Sequence, residues 1–252
     1  MKHSAEFENS PLPIVGLDDE YSHGFVDPFH AHTRSQLLYA SRGIMTVVTR
    51  SASYVIPCQR AIWIPAGVEH EVSCRSAVSL RTLYFAKTSD EPFRQCQVIE
   101  ISELLRCLII EAVMLGTDYE FTERNTKLLS LMAAELRAMP SAPYHVRMPA
   151  DPRLLRICQA LIDDPADKRD LDDFAKLANM SRRSLTRAFA AETGMTVAVW
   201  RQQARIMAAL SLLAQGKPIT VIAFEVGYDS SSAFTTMFHK VLGASPSHYR
   251  MQ

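Results

Sequence analysis

No apolar run in this 252-residue chain approaches the roughly 20 residues that a membrane span needs, so no membrane is expected among its partners. The opening stretch MKHSAEFENS lacks the apolar core of a secretory signal, which points to the cytoplasm. No low-complexity tract is present, and 48% hydrophobic with 21% charged residues is the composition of a folded globular protein. Cysteine is sparse. Cys58, Cys74, Cys96, Cys107 and Cys158 are odd in number and contain no CxxC pair, which argues against a disulfide frame or a zinc knuckle. Reduced, mostly buried thiols are expected instead.

Net charge is absent too, with 27 basic and 27 acidic side chains, but it is unevenly spread. Residues 1–150 hold 14 Lys and Arg against 17 Asp and Glu; residues 151–252 hold 13 against 10. From Lys176 to Arg205 there are six basic residues and one acid, Glu192. Such a stripe suits a phosphate-bearing partner, although solvated helix faces also produce it.

The hydrophobic period changes along the chain. MTVVT (45–49), SYVIP (53–57), AIWIP (61–65), EVSC (71–74) and SLRTLYF (79–85) read as short strands broken by turn residues, predicting a small barrel or sandwich. From Ile101 the spacing is helical: Leu104, Leu105, Leu108, Ile109 and Ala112, then Leu128, Leu129, Met132, Ala133 and Leu136. Ser102 is placed to cap the first of these helices. Two such amphipathic helices either cover the barrel or dimerise the protein. Residues 139–149, MPSAPYHVRMP, carry three prolines and no period, and are expected to be a linker. The predicted domains are therefore 1–140, a linker at 141–150, and an all-α domain at 151–252.

The last domain contains an approximate repeat. LDDFAKLANMSRRSLTRAFAAETG (171–194) returns as ITVIAFEVGYDSSSAFTTMFHKVLG (219–243), with Leu185 and Phe234, Phe189 and Phe238, and Gly194 and Gly243 each 49 residues apart. Each copy predicts a short helix, a tight turn and a longer helix, the turn lying at Asn179–Met180–Ser181 or at Gly227–Tyr228–Asp229. Ser181 and Ser230 (or Asp229) are the candidate caps. Outward positions early in the longer helices are Arg182, Arg183, Thr186 and Arg187, then Ser231, Ser232, Thr235 and Thr236. A recognition helix points such N-terminal residues at base edges; arginine suits guanine O6 and N7, and Ser or Thr is less selective. Residues 196–216 predict a joining helix of about 30 Å at 1.5 Å per residue, close to the roughly 34 Å turn of B-DNA. Arg201 and Arg205 on it are candidate phosphate contacts, or else surface charge with stems laid on the core.

On these residues, with the close Pro246-Ser247-His248-Tyr249-Arg250, the segment 171–250 resembles the DNA-binding domain of the AraC family of bacterial regulators. The resemblance implies two helix-turn-helix units, double-stranded promoter DNA and RNA polymerase as partners, and base reading by Arg183, Thr186, Arg187, Ser231, Ser232, Thr235 and Thr236. Thr236 stands where a basic residue often sits, which implies that the first unit dominates specificity.

In the first half, Gly24, His30, His32, Gln36 and Gly43, then Pro65, Gly67 and His70, resemble the two motifs of cupin barrels. The fold class expected is thus α+β, a cupin-like barrel with two helices followed by the all-α domain. His30 and His32 are expected on one strand face, with His70 opposite. Three imidazoles suit Zn, Fe, Ni or Cu, so a divalent transition metal is one expectation. Gln36 replaces the usual glutamate, and a metal-free pocket for a small-molecule effector or a purely structural role are the others. Arg81 is expected to need an anion, either an effector carboxylate or a protein one. A cupin metalloenzyme with accessory helices is the competing function, as is a domain that binds partner proteins; no acid–base pair beside the histidines favours the former.

Overall fold

The computed structural model describes residues 10–56, 60–74, 76–87, 91–142 and 145–249. They divide into two compact units, Met1–Thr49 with Ile56–Pro143, and Arg50–Val55 with Tyr144–Gln252. Among the described residues no helix is long and apolar enough to cross a membrane.

The strands, in chain order, are β1 (Ile14–Tyr21), β2 (Val26–His30), β3 (Ser35–Arg42), β4 (Met45–Thr49), β5 (Ala52–Ile56) and β6 (Arg60–Ile64). There follow β7 (His70–Cys74), β8 (Val78–Phe85), β9 (Gln97–Glu100), β10 (Ser141–Ala142) and β11 (His145–Arg147). In the first unit one antiparallel sheet runs β1-β8-β3-β6-β9-β10, and a second contains β4, β7 and β2 with β2 at its edge. In the second unit β5 pairs with β11. The segment expected to be a linker contains two short strands. Strands of two and three residues between prolines leave no alternation to read.

Alternation sorts the first sheet into two faces. Val15, Leu17, Asp19 and Tyr21 lie opposite Tyr84, Thr82, Leu80 and Val78 on one face. Leu37, Tyr39, Trp63, Leu83 and Phe85 lie on the other and are buried under two helices, α1 (Glu103–Leu115) and α2 (Glu123–Ala138). Ser102 Oγ accepts from the Leu105 N–H and caps α1 as its sequence suggests; Thr122 does the same for α2. α1 supplies Leu105, Ile109, Ala112 and Val113 to the core, and α2 supplies Leu128, Leu129, Met132 and Leu136. β1 meets α1 at Gly16, where a Cβ would sit 2.6 Å from Val113 Cα, so only glycine allows this approach. Leu104, expected with the apolar stripe, is 48% exposed.

The second unit is helical: α3 (Pro152–Asp163), α4 (Leu171–Leu177), α5 (Arg182–Thr193), α6 (Val197–Ala214), α7 (Ile219–Glu225), α8 (Ser231–Leu242) and a closing 3-10 turn at Pro246–Tyr249. The long helix α6 contacts α3, α5, α7, β11 and the closing turn. Its Trp200 is fully buried and donates its indole N–H to the Arg147 carbonyl at 2.7 Å. Cys74 and Cys158 are buried free thiols, Cys96 is half-buried and Cys107 exposed; Cys58 lies outside the described residues, as does Arg250.

Candidate ligand site and nucleic-acid interface

The helix pairs α4–α5 and α7–α8 share one local design. In the first, the Met180 N–H returns to the Ala175 carbonyl at 2.9 Å; in the second, the Tyr228 N–H returns to the Ala223 carbonyl at 2.8 Å. Both corners turn through a left-handed residue, Asn179 (φ 52°) and Gly227 (φ 79°). Ser181 Oγ then accepts from the Ser184 N–H at 3.1 Å, and Ser230 Oγ from the Ala233 N–H at 3.2 Å, starting α5 and α8. Phe174, Leu185 and Phe189 close the inner side of the first pair, and Ile222, Ala223, Phe234 and Phe238 that of the second, all buried.

This packing leaves Arg182, Arg183, Thr186 and Arg187 exposed on α5. Arg182 Nη1 donates to Asp172 Oδ2 at 3.3 Å, and the Thr186 hydroxyl donates to the Arg182 carbonyl at 2.9 Å. On α8, Ser232 and Thr236 are exposed, whereas Ser231 and Thr235 are half-buried. Arg201 and Arg205, the candidate phosphate contacts on α6, are half-buried and each makes a contact within its own unit. Arg201 Nη2 donates to the Arg169 carbonyl at 2.6 Å, and its guanidinium carbon lies 5.0 Å from the centre of the Phe174 ring. Arg205 Nε donates to the Pro165 carbonyl at 2.9 Å beneath the Tyr228 ring. Both guanidinium groups brace the fold, which a sequence pattern of surface arginines does not reveal.

In the first unit three histidines converge. His30 closes β2 and pairs directly with His70 at the start of β7. His32 lies in the loop after β2, not on the strand with His30 as expected; the Gly67 N–H donates to the His32 carbonyl at 2.8 Å and brings that loop to the turn before β7. Ring centres are 4.5 Å apart for His30 and His70, 4.8 Å for His30 and His32, and 5.5 Å for His32 and His70. His30 Nδ1 meets the Pro28 carbonyl at 2.7 Å, and His70 Nδ1 the Val68 carbonyl at 2.9 Å. A carbonyl only accepts, so in both rings Nδ1 carries a proton; a neutral ring then has its lone pair on Nε2. Burial, with smaller help from neighbouring histidines, lowers His32 and His70 to a pKa of about 4, which keeps both neutral near pH 7.

The residues around the cluster include one that the sequence motifs did not indicate. β2 shifts register between Asp27 and His30, so Asp27 opposite Val72 and His30 opposite His70 point the same way although three residues apart. Asp27 Oδ2 lies 3.7 Å from His30 Nε2. Gln36 is buried on β3 with its amide donating to the Tyr84 hydroxyl at 3.0 Å, and Tyr84 meets His32 edge-on. Arg81 falls on the opposite face of β8 from Tyr84, where it pairs with Asp18 and, at 3.8 Å, Glu20. Its anion is thus a protein carboxylate, and it is not one of the residues around the histidines. The donor set fits a transition metal: one ligand atom from each histidine lies within 4.8 Å of the others, and Nδ1 anchoring to backbone carbonyls is how ligating imidazoles are held.

A family model described as a helix-turn-helix domain matches residues 174–252. The chain is 31% identical over 222 residues to the HTH-type transcriptional regulator NimR of Escherichia coli, covering 88% of this chain and 81% of that protein. It is 33% identical over 132 residues to the arabinose operon regulatory protein of the same bacterium, covering 50% and 45%. ToxT from Vibrio cholerae, a solved structure, aligns over 94% of this chain and 98% of its own at 14% identity, with a TM-score of 0.40. Relatives of this kind regulate transcription and are not enzymes. A matched helix-turn-helix segment and a relative aligned across both units place the chain in the AraC family of DNA-binding, HTH-type transcriptional regulators.

Proposed function

We propose that this regulator reads DNA with both helix pairs and is controlled by a ligand bound at the histidine cluster of its cupin-like sensor domain. The observation that carries the first part is the matched construction of α4–α5 and α7–α8: the same return hydrogen bond, left-handed corner and serine cap. In this reading Arg183 and Arg187 of α5 address base edges, with Arg182 and Thr186 beside them, while Ser231, Ser232, Thr235 and Thr236 of α8 make a weaker second contact. α6 joins the pairs over 18 residues, about 27 Å, which suits successive major grooves on one side of the duplex.

Control requires that a ligand bind two arrangements of the protein unequally. A coupling of about 1–3 kcal/mol changes operator affinity roughly 5- to 150-fold. The test is a mobility-shift titration on DNA upstream of the protein's own coding sequence, with the wild type and a His30→Ala/His70→Ala variant. The variant should bind DNA at the basal level and lose the ligand response. A full response in the variant, or outright loss of DNA binding, overturns the assignment. A homodimer through α1 and α2 is part of this proposal. Leu104 lies two turns from Glu111 on α1 and Leu131 two turns from Arg124 on α2, and the Arg124–Glu111 pair at 2.6 Å joins those two helix sides, so Leu104 and Leu131, 48% and 45% exposed, are taken as one outer face. A second copy related by a two-fold axis would cover that face with its own.

A further inference from the structure

We propose that His30, His32 and His70 form a divalent transition-metal site completed by Asp27, a carboxylate ligand delivered by the bulge in β2. The proposal rests on reading this cluster as the ligand site of the sensor domain, and it names what that site holds.

Three observations carry it. His70 is 1% exposed, and its Nε2, like that of His30, has no hydrogen-bond partner among the described residues. An imidazole buried with its Nδ1–H anchored and its Nε2 lone pair unanswered is costly unless something accepts that lone pair, and a metal ion does. The second observation is the separation of Asp27 Oδ2 and His30 Nε2, 3.7 Å. Two donors on one ion, each about 2.1 Å from it, lie about 3.0–4.2 Å apart. The widest spacing among the histidine ligand atoms, 4.8 Å, needs a closure of only about half an ångström to meet the same range.

The third observation is the bulge itself. Along a regular strand residues 28 and 30 would share a face; the register shift instead gives that face to 27 and 30. Pro28 sits inside the irregularity on an edge strand, where its missing N–H costs no ladder hydrogen bond. The bulge thus supplies an anion, which the neutral amide of Gln36 does not. Three imidazoles and one carboxylate are borderline nitrogen and hard oxygen donors, a set that suits Zn, Co, Ni, Fe or Cu rather than Mg or Ca.

The test uses the full-length protein, stripped with a chelator and dialysed against Zn2+ or Co2+. One ion per chain is expected, and the Co2+ form should show ligand-field absorption without the strong thiolate charge-transfer band. Asp27→Asn, which keeps the side chain's size, should weaken binding at least about 10-fold and alter the Co2+ spectrum; His70→Ala should remove binding. No stoichiometric uptake by the folded wild type overturns the site. Wild-type affinity and spectrum in Asp27→Asn overturn the role of Asp27 whatever His70→Ala does. The regulatory reading is judged separately. Metal uptake that leaves DNA affinity unchanged overturns metal control and leaves the site standing, whereas a DNA response to an organic ligand without metal uptake does the reverse.

Discussion

Asn179 and Gly227 hold the same left-handed backbone at corresponding corners of two helix pairs, but only at Gly227 is the space above the backbone filled. A Cβ there would lie 2.6 Å from Arg205 Nη2 and 2.9 Å from Ala166 Cα. The first corner admits a side chain, and asparagine tolerates its conformation; the second requires glycine on both counts.

Gly227→Ala is therefore expected to destabilise the second unit by about 2 kcal/mol or more, combining the left-handed penalty with the displacement of Arg205. Asn179→Gly should change stability by no more than about 0.5 kcal/mol. Urea unfolding of the two variants checks this; equal losses would show that crowding at Gly227 is immaterial.

Arg187→Ala should cost about 1–3 kcal/mol at the cognate operator and relax discrimination at one base position. Binding to a panel of single-base operator variants measures it. If the panel keeps its ranking and spread, Arg187 is not a base reader.

Arg201→Ala should lower the stability of the first helix pair by about 1–3 kcal/mol, because it removes a charged donor to the Arg169 carbonyl and the cation over Phe174. The slope of DNA affinity against salt should stay at its wild-type value, since no phosphate contact is lost. A slope reduced by about one would return Arg201 to the DNA surface.

Acid should weaken the second unit through three aspartates. The Arg153 side chain holds Asp151 down at a pKa of about 2; the Arg169 side chain lowers Asp167, and the Asp173 N–H lowers Asp170 at the start of α4. Their folded pKa values lie below the unfolded ones, so their contribution is present above about pH 4 and is lost as pH falls through the folded values, for Asp151 at about 2. Thermal melts followed by helical circular dichroism should show that decline, and Asp167→Asn should flatten it.

Leu104→Glu with Leu131→Glu should shift sedimentation of the full chain toward the monomer at tens of micromolar, with the far-ultraviolet spectrum unchanged because both side chains are exposed. An unaltered sedimentation profile would remove α1 and α2 as the dimer surface.

Legibility in the sequence followed the length and regularity of each pattern. MTVVT is β4 to the residue, and Ser102, Ser181 and Ser230 cap the helices that their side chains suggest. β1 carries no apolar alternation in the sequence, because its inward residues include Asp19 and its outward ones Asp18 and Glu20. β9, at four residues, is too short to carry a period. His30 and His70 were found by type and spacing, whereas Asp27 was hidden because a bulge breaks the two-residue rule on which face assignment rests. The internal tasks of Arg201 and Arg205 depend on carbonyls more than thirty residues away, which no local pattern encodes.

The helix α6 fixes an angle as well as a distance. Each residue added to it would advance α7 and α8 by about 1.5 Å while turning them through about 100° about the helix axis. A single insertion would thus leave the span nearly intact and put α8 out of phase with α5. Additions of about seven or eleven residues, close to two or three full turns, come near to restoring the phase. If both pairs read DNA as proposed, sequence preference can drift one side chain at a time along α5 and α8, while the spacing between the two sets of bases is inherited in whole steps.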